Sequence, residues 1–207
     1  MKRILFQGDS ITDCGRSRED ELNKGKGYAT NVTGKLNYRY PGEYEFFNRG
    51  ISGNRVTDLY ARIKADIINL KPDYMSILIG VNDVWHEVSR QDGVGTEKFE
   101  KIYDMLISEV LEALPDIKIM IMEPFVLKSR ATEEAWDVFG TEVAKRAAAA
   151  KRIAEKYGFV YVPLQKKFDE MAAIQPEPFW TMEGVHPTEA GHELITEEWL
   201  KGFEKLN

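Results

Sequence analysis

The chain has 207 residues, a formal net charge of −6 and a single cysteine. That length suits one domain, residues 1–207, with a full hydrophobic core, and a lone cysteine excludes an intrachain disulfide. Charges of both signs are interspersed with no basic stripe, which argues against a nucleic-acid partner, and no stretch approaches the roughly 20 apolar residues of a membrane span.

At the start, MKRILF, two basic residues precede three apolar ones, far short of the apolar run of an export signal. A cytoplasmic protein is expected. The same residues open the first of five short apolar runs, 3–6, which reads as a strand. The next run is 44–47. Val56, Leu59, Ile63, Ile67 and Leu70 then step by three or four, the spacing of a helix with one apolar face, and Pro72 stops it. A third strand is expected over 74–79. Phe99, Ile102, Leu106 and Val110 predict a second amphipathic helix, ended near Pro115. The fourth apolar run is 117–122. Residues 132–157 are rich in Ala, Glu, Lys and Arg, strong helix formers. The fifth run is 159–162, and Ile195, Trp199 and Phe203, four apart, mark a closing helix. Strands that are nearly continuous hydrophobics, alternating with helices, predict an α/β fold: a five-stranded parallel sheet with helices on both faces.

In such a sheet, sites form at the carboxyl ends of the strands. After the first run stands Gly8-Asp9-Ser10; after the second, Asn48-Arg49-Gly50-Ile51-Ser52-Gly53; after the third, Gly80-Val81-Asn82-Asp83; after the last, Glu183-Gly184-Val185-His186-Pro187. One sheet edge thus gathers a hydroxyl, a glycine amide, a carboxamide and an imidazole with a carboxylate, the inventory of acyl transfer. Each residue also has a plainer reading. Ser10 suits a turn or a helix N-cap, and Gly53 and Asn82 suit turns. Glu183 and His186, three apart, suit a helix cap with a surface acid. If they share a face, the carboxylate can hold one imidazole nitrogen while the other accepts the Ser10 proton.

Together, in this order, the four segments resemble the SGNH (GDSL-type) hydrolases, and the match spans the chain. The resemblance implies a flavodoxin-like three-layer α/β/α sandwich and hydrolysis through an acyl-serine without a cofactor or metal. By the same resemblance Ser10 is the nucleophile, His186 the base, and the amides of Ser10 and Gly53 with the Asn82 side chain form the oxyanion hole. The acid of the last block is normally Asp; here Glu183 stands in its place. Phe168-Asp169-Glu170 through Phe179-Trp180 to Glu193-Leu194-Ile195 is similar to intracellular acetylxylan-type esterases of this family, which implies deacetylation of xylo-oligosaccharides.

Asp9, Trp85, His86 and Trp180 are the candidates for substrate contact, with packing or solvated-loop roles as the competing reading. His192 is read as packing or capping. Cys14 is set aside as a nucleophile, and Arg49 and Arg55 are read as mostly solvated, with substrate contact as the competing reading. The expected partner is a small ester, an acetylated sugar, with no nucleic acid and no membrane; a homo-oligomer is left open. The alternatives are a lysophospholipase or thioesterase on the same scaffold, and a non-catalytic carbohydrate-binding relative.

Overall fold

In the computed structural model, which describes residues 1–206, the five apolar runs form five strands. Strand β1 (Lys2–Gly8) leads into a short α1 (Ser10–Asp13) and then α2 (Tyr28–Arg39). Next come β2 (Tyr44–Asn48), α3 (Val56–Ala61), α4 (Ile63–Asp66) and a 3-10 turn (Ile68–Leu70). The middle of the chain holds β3 (Tyr74–Leu78), α5 (Val81–Arg90), α6 (Thr96–Ala113) and β4 (Lys118–Met122). The remainder is α7 (Trp136–Tyr157), β5 (Val160–Val162), α8 (Gln165–Ala172) and α9 (Glu189–Glu204). Asn207, the last residue of the expected domain, lies outside the described residues.

All strand pairs are parallel and the order is β2-β1-β3-β4-β5, the flavodoxin-like doubly wound order. The chain leaves β1 toward β2 and then returns past β1 to β3. The direction of winding therefore reverses at the carboxyl end of β1, where helices on opposite faces diverge and leave a crevice. Ser10 is placed there by topology.

Side chains alternate between two cores, as the pleat requires. Ile4, Phe6, Leu78, Met120 and Met122 face one core, under α2 and α9. Leu5, Met75, Ile77, Ile119 and Ile121 face the other, under α3, α6 and α7. Each large side chain so buried contributes about 1.5–3 kcal/mol.

Several boundaries differ from the sequence expectation. The helical pattern from Val56 to Leu70 is broken at Arg62, whose guanidinium reaches inward and donates to Asn54 Oδ1, Arg49 O and Gly8 O. Residues 132–135 precede α7 because the Thr132 hydroxyl donates to Leu127 O (2.7 Å) and accepts from Ser129 N (3.0 Å), building a turn. Ile117 and Phe159 lie just outside β4 and β5, their amides bonded back to Leu114 O and Ala154 O of the preceding helices.

The loop after β2 lies directly against α1. A Cβ at Gly50 would meet Asp13 N at 2.3 Å and Thr12 C at 2.7 Å. We therefore expect Gly50→Ala to separate the loop carrying Gly53 from the helix carrying Ser10. The ester hydrolysis that the resemblance implies should fall by roughly a hundredfold, since a displacement of about 1 Å suffices for that; steady-state kinetics on a small aryl ester, with circular dichroism to confirm folding, checks it.

Candidate active site

Four segments distant in sequence meet beyond the carboxyl ends of β1, β2 and β3. Ser10 is the first residue of α1, and Asp9 caps that helix by accepting from Ile11 N at 3.0 Å. Polar side chains lock the neighbouring loops together. Asn48 donates to Thr12 O and Lys24 O and accepts from Gly50 N. Asp13 accepts from both the amide and the hydroxyl of Ser52. Asp83 accepts from Val56 N at 3.1 Å, tying α5 to the start of α3.

Ser10 Oγ lies 2.8 Å from His186 Nε2, and His186 Nδ1 lies 2.6 Å from Glu183 Oε1. Because Nδ1 faces a carboxylate, it carries the proton and donates it. Nε2 is then the bare nitrogen, free to accept from the serine hydroxyl. The hydrogen bond with Glu183 outweighs burial and holds the His186 pKa above its ordinary 6.5. Burial acts to raise Glu183, but the hydrogen bonds from His186 prevail and keep it below the usual carboxylate value.

The segment carrying this pair is a tightly bent loop, not a helix face, and it is braced from within. Thr181 bridges to Pro187, and Met182 N donates to His186 O at 2.8 Å. Glu177 Oε2 accepts from the Thr181 hydroxyl (2.5 Å) and amide (3.2 Å), and Thr181 Oγ1 in turn accepts from Gly184 N (2.8 Å). Gly184 has φ +110° with Leu127 O and Thr132 packed against it, a conformation and a contact that exclude a side chain. Glu177 and Thr181 were not singled out from sequence, because nothing in their spacing marks a brace.

Ser10, Gly53, Asn82, Trp85, His86 and His186 line one cavity of about 380 Å³. Glu183 stands behind His186. Asn82 Nδ2 donates to Asn54 O (3.1 Å), which orients the amide at the rim of the cavity. Trp85 packs its ring between Phe139 (6.0 Å) and His186 (5.9 Å). His86 is held below its ordinary pKa by burial and by the cations of Arg90 and Arg55.

Two expected contacts are corrected. Trp180 does not line the cavity: it is 8% exposed, and its indole N–H donates to Gln175 O, so it anchors the loop from beneath. Asp9 is 1% exposed and faces the interior, where substrate does not reach. His192 is buried and accepts from Tyr28 N, with Cys14 Sγ 3.3 Å from its Nε2; burial lowers its pKa to about 4. A second cleft, about 430 Å³ between α7 and α8, is lined by Trp136, Asp137, Thr141, Gln165 and Asp169, with no serine, cysteine or histidine among the described lining residues.

A hydroxyl, an imidazole and a carboxylate in series, at the switch point of a doubly wound sheet, define a hydrolase of carboxylic esters. Residues 6–194 match the model of the GDSL-like lipase/acylhydrolase family. The chain is 36% identical to an acetylxylan esterase of Geobacillus stearothermophilus over 218 residues, covering 98% of this chain and 95% of that protein. A crystal structure of a catalytic mutant of a Geobacillus stearothermophilus acetylxylan esterase superposes with a TM-score of 0.86 at 32% identity, over 97% of this chain and 93% of that one. A candidate GDSL-like lipase of Parabacteroides merdae superposes with a TM-score of 0.93 at 33% identity, over 98% and 95%. The chain belongs to the GDSL-like lipase/acylhydrolase family.

Burial beneath the site pushes Asp9 up to about 7 from its ordinary 3.8. Such an acid stabilises the fold most when protonated: its contribution is complete below 3.8 and is lost as pH rises to about 7. Asp9→Asn, which keeps an acceptor for Ile11 N, should therefore melt progressively higher than the parent as pH rises through this window. The gain should level off above it. Thermal melts across the range check this, and a pH-independent difference would contradict it.

Proposed function

We propose that this site hydrolyses short-chain esters, in the main O-acetyl groups on carbohydrate such as xylo-oligosaccharides, through an acyl-serine intermediate. The observation that carries the reading is the continuous hydrogen-bonded series Ser10–His186–Glu183, 2.8 and 2.6 Å, opening on a cavity of about 380 Å³. His186 Nε2 takes the Ser10 proton as Oγ attacks the acyl carbon. The oxyanion is received by the amides of Ser10 and Gly53 and by Asn82 Nδ2; such donors are each worth about 3–4 kcal/mol in the transition state. His186 then protonates the departing sugar oxygen, and the acyl-enzyme is hydrolysed by the reverse sequence with water. Glu183 holds the ring in its tautomer and stabilises the imidazolium.

Similarity to acetylxylan esterases supports the acetyl and sugar reading. In the catalytic mutants of the Geobacillus enzyme the substituted aspartate and histidine lie three residues apart, the separation of Glu183 and His186 here. Trp85 and His86, on the cavity wall, are assigned to the sugar. We read the chain as one cytoplasmic domain that needs no cofactor. A lysophospholipase or thioesterase reading is less favoured, since no Leu, Ile, Val or Met side chain is among the described residues that line the cavity.

Across p-nitrophenyl esters from acetate to octanoate, kcat/KM should be highest for acetate; a preference for octanoate would sink the acetyl reading. Ser10→Ala should abolish fluorophosphonate labelling and lower kcat by on the order of 10⁴–10⁶-fold. Glu183→Ala should cost roughly tenfold to a hundredfold less than that, and equal losses would refute the supporting role given to Glu183. Because His186 must be neutral to act, kcat/KM should fall on the acid side with an apparent pKa above 6.5. In Glu183→Ala that limb should move to lower pH, as read from pH–rate profiles.

A further inference from the structure

We propose that the outward stripe of α5 is a leaving-group subsite for acetylated oligosaccharides that carry a carboxylate, with Arg90 reading the anion. This rests on the acetyl-ester reading of the site and adds a substrate class to it.

Asn82, Trp85, His86, Ser89 and Arg90 all line the cavity that holds Ser10 and His186. Their spacing places them along one face of a helix. From Asn82 to Arg90 the helix advances about 12 Å. An acetyl group occupies only the innermost part of that length. The rest of the stripe must therefore face the leaving group, with Trp85 and His86 one turn out from the oxyanion donor and Ser89 and Arg90 two turns out.

Charge along the stripe is uneven. Among the described residues, Arg90 is the only permanently charged side chain on the cavity wall and no carboxylate lines it, although the chain as a whole is at −6. The acids nearby are held mainly by other partners. Asp92 places Oδ1 2.9 Å from Arg55 Nη1 and makes a longer ion pair, 4.0 Å, from Oδ2 to Arg90 Nε. Asp58 pairs with Arg55 at 3.1 Å, and Glu87 accepts from Gly93 N. Arg90 Nη2 donates to the His86 ring at 2.9 Å, while Nη1 makes no hydrogen bond among the described residues. Its side chain is 58% exposed. A guanidinium steadied at one nitrogen and open at the other matches a carboxylate better than a neutral hydroxyl. Among sugars, that carboxylate is a uronate one or two units from the acetylated ring.

The test uses an acetylated xylotriose bearing one glucuronic acid branch, and the same compound as its neutral methyl ester. Acetate release by the parent protein should favour the acid in kcat/KM by about threefold to fivefold at low salt, the scale of an exposed ion pair. High salt should bring the ratio toward one. Arg90→Gln should set the ratio at one, Arg90→Glu should invert it, and Lys166→Gln, which removes one charge from α8, should leave the ratio as in the parent. Because both substrates meet the same protein, misfolding of a variant cancels from the ratio. Equal kcat/KM in the parent, or a preference that survives Arg90→Gln, overturns the subsite while leaving the acetyl-esterase reading intact. If neither compound is deacetylated while longer acyl esters are hydrolysed, the acetyl-sugar reading falls and the subsite with it.

Discussion

The 2.8 Å hydrogen bond between Ser10 and His186 joins residues 176 positions apart, and each partner is held by a different physical device. The serine side is set by the sheet. With β1 between β2 and β3, the reversal of winding leaves a crevice at its carboxyl end, and the first residues after the strand fall into it. The histidine side has no strand beneath it. Its position depends on a loop whose backbone groups would otherwise be free, and the loop is closed on itself by the Thr181–Pro187 bridge and Met182 N to His186 O. Leu127 N and Ala131 N, donating to Gly184 O and Glu183 O, fasten it to the segment after β4. A hydrogen-bond geometry that tolerates only a few tenths of an ångström thus rests on a scaffold at one end and a lattice of loop bonds at the other.

The same region buries two carboxylates at an electrostatic cost. Asp9 and Asp83 are both under 2% exposed, and burial raises each to about 7. Asp9 Oδ2 is buried with no hydrogen-bond partner among the described residues. A core built for stability alone would replace these groups with apolar ones. Each instead organises backbone next to a site residue: Asp9 caps the helix that starts at Ser10, and Asp83 fixes Val56 N beside Asn82. Local stability is given up where geometry is needed.

The strands were legible because residues buried on both faces leave continuous apolar runs, and the four blocks were legible because each follows a strand or precedes the last helix. What the sequence did not show is direction. Trp85 and Trp180 both sit beside motif residues, yet one lines the cavity and the other supports the loop from below; an indole beside a motif looks the same in either role. Asp9 is adjacent to Ser10 and still points inward, because its carboxylate turns back to the Ile11 amide. The break at Arg62 was invisible for a related reason. Apolar periodicity reports only the buried face of a helix, and the bonds that interrupt this one come from a cation reaching three carbonyl-type acceptors. Glu177 was missed because its effect reaches the site only through Thr181 and Gly184.

The longer acid at position 183 raises the question of how a side chain with an additional rotatable bond can orient an imidazole. The geometry supplies an answer. Glu183 Oε1 accepts from His186 N at 2.9 Å as well as from Nδ1 at 2.6 Å, so one oxygen holds both the backbone and the ring of the same residue. The backbone contact fixes the far end of the glutamate, and the Glu183 carbonyl is fixed in turn by Ala131 N. With both ends of the side chain anchored, the added methylene changes the path between them rather than the freedom of the carboxylate. The positive φ of Gly184 supplies the tight return that brings the His186 amide within reach. A substitution that looks like a loosened third member in the sequence is accommodated by the turn that follows it.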